Sequence, residues 1–182
     1  MPQLVALSLS IAVLGTIWAF VALKTGLLVW AGFIAWGCFF HSGGDQKALI
    51  KTICGNVYGV IVAWIALLII FKFGVADLGL IPICIVVGVT VFFLVIVAKI
   101  DQLSVVPANV YGYAATVAWS LSAPSAPGAT PDVAGTGPLQ SLGSPSLANP
   151  LVALIVSLVI GAVAGYISGQ VAGALGKKSA TA

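Results

Sequence analysis

The polar side chains of this sequence gather in two places where an apolar chain has least use for them. Asn109, Tyr111, Tyr113 and Thr116 fall within Val105–Trp119, and Asn56 and Tyr58 within another apolar run. The tetrapeptide Asn-Val-Tyr-Gly occurs in both, at 56–59 and 109–112. Inside a bilayer such amides and hydroxyls have two uses. They can present fixed donors and acceptors to a small polar solute, or they can bond to neighbouring helices in place of absent water. Pro107 stands two residues before Asn109. It is expected to interrupt the segment and free backbone carbonyls, which hydrocarbon tolerates only where they line a protein cavity. Together with Trp36 and His41 these residues form the candidate solute-binding set: Asn56, Tyr58, Pro107, Asn109, Tyr111, Thr116, Trp36 and His41.

Other chemistry lacks its players. The four acids are all aspartate, and there is a single histidine, so general acid–base catalysis has little to work with. No H-E-x-x-H, G-x-S-x-G or phosphate-loop pattern is present. Cys38, Cys54 and Cys84 show no C-x-x-C spacing, and no cofactor, metal or disulfide is expected from them. Proton coupling needs an ionisable group near the middle of the membrane, and no apolar segment carries one centrally. The expectation is a non-enzymatic channel or facilitator for a neutral or weakly charged solute, urea-, amide- or amine-like. A non-transporting scaffold or accessory subunit is the alternative.

The elements that must position these groups are apolar helices. Of the 182 residues, 61% are hydrophobic and 6% charged, against about 25% charged in soluble domains. The mean hydropathy is +1.21. All seven basic residues are lysines scattered near segment ends, which excludes the basic stripe that nucleic acid requires. A single all-α membrane domain is expected, with segments at about 4–23, 27–40, 48–73, 78–100, 103–121 and 151–175. The first lacks a basic leader and a cleavage site, and reads as a retained span. Segments two and five are short, and re-entrant loops are an option for both. Six crossings with a cytoplasmic N-terminus place Lys47, Lys51, Lys99, Lys177 and Lys178 inside, with Lys24 and Lys72 outside. The positive-inside rule favours that arrangement, with both termini cytoplasmic. Three segments plus three, each half with a short interrupted middle member, suggests an inverted repeat around a midplane site. The Ser/Ala/Pro/Gly tract 122–150 is expected to be an irregular exposed outer loop.

Small residues recur at four-residue spacing. Gly161, Gly165, Gly169 and Gly173 form a ridge, and Gly55 and Gly59 with Ala63, and Ala108 and Gly112 with Thr116, form shorter ones. Such ridges let helix backbones approach closely, within a protomer or between copies of a homo-oligomer.

Several of these features resemble a known family. The runs GTIWAFVA at 15–22 and GLLVWAGF at 26–33, the Gly43-Gly44 turn, Trp64, Val106-Pro107 and Gly165-Tyr166 are similar to bacterial inner-membrane proteins of the domain-of-unknown-function 1097 family. The resemblance implies a small polytopic protein of the inner (cytoplasmic) membrane. It supplies no substrate and no functional residues, and it departs at Ser122–Pro150, where this chain looks longer.

Overall fold

The computed structural model describes residues 1–121 and 138–176. Most of the expected outer tract and the Lys177-Lys178 end therefore lie outside the described residues. Within them every regular element is helical. Four helices are long and apolar enough to cross a membrane. These are α1 (Gln3–Thr25), α3 (Gln46–Leu67, widened into a π-helical turn at Leu68–Lys72), α4 (Leu80–Ile96, tightened at Val97–Lys99) and α6 (Pro150–Gly176). Between them lie α2 (Val29–His41, 13 residues) and α5 (Val106–Leu121, 16 residues). At 1.5 Å per residue these reach only about 20 and 24 Å, short of the roughly 30 Å hydrocarbon core.

The expected interruption of the short segments is not found. Both α2 and α5 are unbroken. Pro107 is the second residue of α5, in the first turn, where its missing N–H leaves no helical bond unmade. Gly112 lies in mid-helix, and its purpose is contact rather than a break. The ends of α2 are set locally. Its start is the buried Leu28, whose N–H donates to Ser157 Oγ at 3.0 Å. Its finish is a turn through Gly43 and Gly44, at φ +119° and +70°, in the region that favours glycine. Asp45 then caps α3 by accepting from Ala48 N at 2.7 Å.

Each short helix lies along a long one. On α2 and α6, Leu28 meets Ser157, Gly32 meets Gly161 and Trp36 meets Ser168, so the two run in the same direction. The pair α5 and α3 does likewise, Ala108 lying against Gly55 and Tyr113 against Gly59. α1 is antiparallel to α6, with Ser10 Oγ donating to Ser168 O at 2.8 Å and Gln3 against Gly176. α4 packs on α3 and α5, and α3 also lies against α6. The central core joins Leu28, Ala31 and Ala35 of α2, Val60 of α3, Ala115 and Trp119 of α5, and Leu154, Leu158 and Ala162 of α6. α4 buries only Thr90 and Leu94 fully and leaves most of its other apolar side chains exposed, as a lipid-facing helix does.

Residues 138–149 are irregular, as expected, and partly exposed, but the stretch is anchored to the helices through buried Ser141, Leu142 and Asn149. Leu142 is 3% exposed, and its carbonyl accepts from Trp64 Nε1 at 2.9 Å and from Asn149 Nδ2 at 3.1 Å. Trp18, Trp36 and Trp119 are buried core residues.

Candidate functional site

The α3–α5 contact is built from glycine outward. A Cβ on Gly59 would collide with the Asn109 carbonyl oxygen and lie 2.7 Å from Tyr113 N. One on Gly112 would collide with the Asn56 carbonyl oxygen and lie 2.8 Å from Asn56 C. The two helices thus touch backbone to backbone at reciprocal points, which only glycine permits. That approach draws both asparagines into the interior, Asn56 to 1% and Asn109 to 0% exposure.

The two amides have different fates. Asn109 Nδ2 donates to Leu94 O and Leu103 O, each at 3.1 Å. Both carbonyls have local reasons to need a donor. The α4 ladder gives way to a tighter turn just after Leu94, and Pro107 has no N–H to offer Leu103 four residues back. Asn109 therefore fastens α5 to the end of α4 and to the connection between them. Its Oδ1 faces Gly55 without a partner, and Asn56 has no partner on either Oδ1 or Nδ2. A buried polar group left unpaired costs roughly 1–3 kcal/mol, so each such atom asks for an explanation.

The remaining candidates separate. Tyr58 OH donates to Phe93 O at 2.9 Å, and Tyr113 OH lies 3.0 Å from Thr90 Oγ1, so both tie the neighbouring helices to α4. Thr116 donates to Gly112 O of its own helix at 2.8 Å. Tyr111 is half-buried, and His41 is exposed at the end of α2. Trp36 belongs to the other short helix, where its Nε1 donates to Ser168 Oγ at 3.1 Å. The structure thus brings Asn56, Pro107 and Asn109 together with Gly55, Gly59 and Gly112, and leaves Trp36 and His41 apart from them. In the α6 ridge, a Cβ on Gly161 would strike Gly32, and one on Gly165 would come within 3.0 Å of Trp36 Cδ1. Gly169 has only ordinary contacts in prospect and Gly173 faces open space.

The candidate set drawn from the sequence left out three small hydroxyl residues. Thr52, Ser157 and Ser168 are all 0% exposed and bond across or along the helix contacts. A signal was present: Ser157 stands four residues before Gly161, and Thr52 four before Asn56, so each extends a stripe already marked.

Charge stays at the ends of the helices. Lys51 Nζ lies 2.8 Å from Asp101 Oδ1 and donates to Ser104 Oγ at 3.0 Å, securing the α4–α5 connection to α3. The hydrogen bond and charge of Lys51 hold the Asp101 carboxyl below the usual carboxylate range. Away from the asparagines, an apolar groove of about 680 Å³ runs over the outward side of α4, between Gly88, Val91, Phe92, Val95, Ile96, Ala98 and Lys99. Its place on the lipid-facing helix separates it from the buried amides.

Residues 8–173 match the profile of the family described as protein of unknown function (DUF1097). The chain belongs to that family. It is 33% identical over 127 residues to the inner membrane protein YcdZ of Escherichia coli (strain K12), covering 67% of this chain and 76% of that protein. Its similarity to the inner membrane protein YcdZ of Salmonella typhimurium (strain LT2) is also 33%, over 67% of this chain and 78% of the relative. No solved structure matches. The family, the relatives' names and the apolar helices together make this DUF1097 member a membrane protein.

Proposed function

We propose that this DUF1097 protein is an inner-membrane facilitator for a small neutral or weakly charged polar solute, urea-, amide- or amine-like. The observation that carries the reading is the Asn56 amide, 1% exposed with neither polar atom partnered. With Asn109 Oδ1 nearby on the facing helix, the interior offers one unused amide donor group and two unused acceptors. A molecule that both donates and accepts satisfies such a set, and a bare ion does not.

The architecture we propose is six crossings, α1–α3 and α4–α6 forming an inverted repeat, with both termini cytoplasmic. Its support lies in spacing and pairing. α4 begins 77 residues after α1 (Leu80 against Gln3), and α5 begins 77 residues after α2 (Val106 against Val29). Partners exchange in the same sense: α2 lies on α6 as α5 lies on α3, and α1 flanks α6 as α4 flanks α3. Each pair of short and long helices meets at a glycine-to-backbone contact, Gly161 on Gly32 and Gly59 on Asn109. A unit of three crossings is odd, so its second copy enters the membrane inverted.

A specific observation also favours the scaffold reading. Tyr58, Tyr113 and the Asn109 Nδ2 group all spend their hydrogen bonds on α4 or its connection, as interhelical ties do. Flux separates the two. Proteoliposomes containing the protein should take up acetamide or urea at least tenfold faster than empty ones. Uptake equal to that of empty vesicles removes the facilitator reading and leaves the scaffold.

A further inference from the structure

The candidate site needs a way in, and the end of α2 and the first turns of α3 place a line of hydroxyls beside it. Thr52 stands one turn before Asn56 on α3, and both side chains are buried, at 0% and 1% exposure. The other described threonines, Thr16, Thr25, Thr90 and Thr116, donate to the carbonyl four residues back in their own helix. Thr52 instead donates across to Ser42 Oγ at 3.3 Å. Ser42 Oγ in turn donates to Cys38 O at 2.7 Å and lies 3.9 Å from Cys38 Sγ. Above Ser42 the chain turns through Gly43, where a Cβ would meet nothing within 4 Å. The head of this ladder is partly exposed at Ser42, the buried Thr52 hydroxyl follows, and its foot is one turn from an amide without partners. No charged side chain takes part in these bonds. Lys51, the nearest lysine in sequence to Thr52, is held by Asp101 and Ser104.

We infer that Ser42 and Thr52 form the cytoplasmic approach to Asn56, a hydroxyl ladder along which a neutral solute exchanges hydrogen bonds, with Cys38 at its side. The inference rests on the facilitator reading for its solute and on the geometry of α2 and α3 for its route. Hydroxyls suit the task because each donates and accepts and can rotate to follow a passing group. No charged side chain in the ladder offsets the cost of bringing an ion into the membrane interior, so it favours uncharged molecules.

The test separates the route from the flux. In a chain carrying Cys54→Ala and Cys84→Ala, Cys38 is the remaining thiol. Methyl methanethiosulfonate is applied to folded protein in proteoliposomes, and intact mass is followed with time. Labelling of Cys38 should proceed at least tenfold faster than in the same chain with Thr52→Leu, which fills the ladder. A Cys38 that is labelled only after unfolding, or equally fast in both chains, overturns the route even if the protein passes solute. Thr52→Val, which removes the hydroxyl and keeps the shape, should lower acetamide flux about tenfold with an unchanged melting temperature. Unchanged flux in Thr52→Val also overturns the route. Fast, Thr52-dependent labelling in a protein without solute flux upholds the route and removes the facilitator reading.

Discussion

Gly59→Ala tests the packing on which everything else depends. The added methyl would collide with the Asn109 carbonyl oxygen and lie 2.7 Å from Tyr113 N, both of them backbone atoms that no rotamer change can move. Non-bonded heavy atoms settle at about 3.5–4 Å, so α3 and α5 must part by roughly 1 Å or more. Overpacking of this kind costs about 1–3 kcal/mol. Alanine returns roughly 0.5–1 kcal/mol through its higher helix propensity. Gly173→Ala collects that gain without a clash, since nothing lies within 4 Å of its Cβ position. The two variants should therefore differ by about 1–3 kcal/mol, Gly59→Ala being the less stable. The assay is reversible unfolding in detergent micelles on titration with sodium dodecyl sulfate, followed by tryptophan fluorescence. Equal stability of the two variants would refute the close-approach geometry, and with it the reason Asn56 and Asn109 are buried.

Asn109→Ala leaves the Leu94 and Leu103 carbonyls without their amide donor, and should destabilise by about 2–4 kcal/mol in the same assay. Asn56→Leu removes an amide that has no partners and keeps the number and branching of its heavy atoms, so the relief of unpaired polar groups, about 1–3 kcal/mol, is offset by the bulkier methyls and stability should stay close to that of wild type. Trp64→Phe takes the indole donor from Leu142 O and should lower stability by about 1 kcal/mol, while making residues 138–149 more susceptible to added protease. Asp101→Asn should change the melting temperature only slightly at pH 7, because exposed ion pairs contribute little. The Asp101 carboxyl is held low by Lys51, so its contribution is present above the ordinary carboxylate range and is lost as pH falls through the lowered value. The small difference between wild type and Asp101→Asn should therefore vanish in strong acid, and a difference that grows there would contradict the pairing.

Much of the fold is legible in the sequence because lipid imposes a simple length rule. The six apolar segments match the six helices to within a few residues, and the lysines, glycines and aspartates at their ends mark the turns. The Gly55–Gly59 and Gly161–Gly165 stripes are legible as contacts too, since little else explains glycine in mid-helix. What the sequence hides is direction. Nothing in the pattern around Pro107 distinguishes a helix break from a first turn, and the structure decides for the turn. Nor does an asparagine announce which neighbour it will meet. Asn109 is committed to Leu94 and Leu103 because α4 tightens beside it and Pro107 lacks a donor, which only the packed chain reveals. The four-residue echo at 56–59 and 109–112 gives the residues of one contact, although its two copies sit on α3 and α5 and not on equivalent helices of the proposed repeat. Thr52, one of the polar residues in the first half of its segment, and Ser157 stayed outside the candidate set because a hydroxyl in an apolar helix most often bonds to its own backbone.

The central question is whether the unpartnered Asn56 amide serves a solute. The direct measurement is stopped-flow uptake of acetamide into proteoliposomes of wild type, Asn56→Leu and no protein. Wild-type uptake should be at least tenfold above empty vesicles, and Asn56→Leu uptake should fall to the empty level in a protein of near wild-type stability. An Asn56→Leu variant that conducts as wild type does, or a wild type that conducts no better than lipid, would contradict that role.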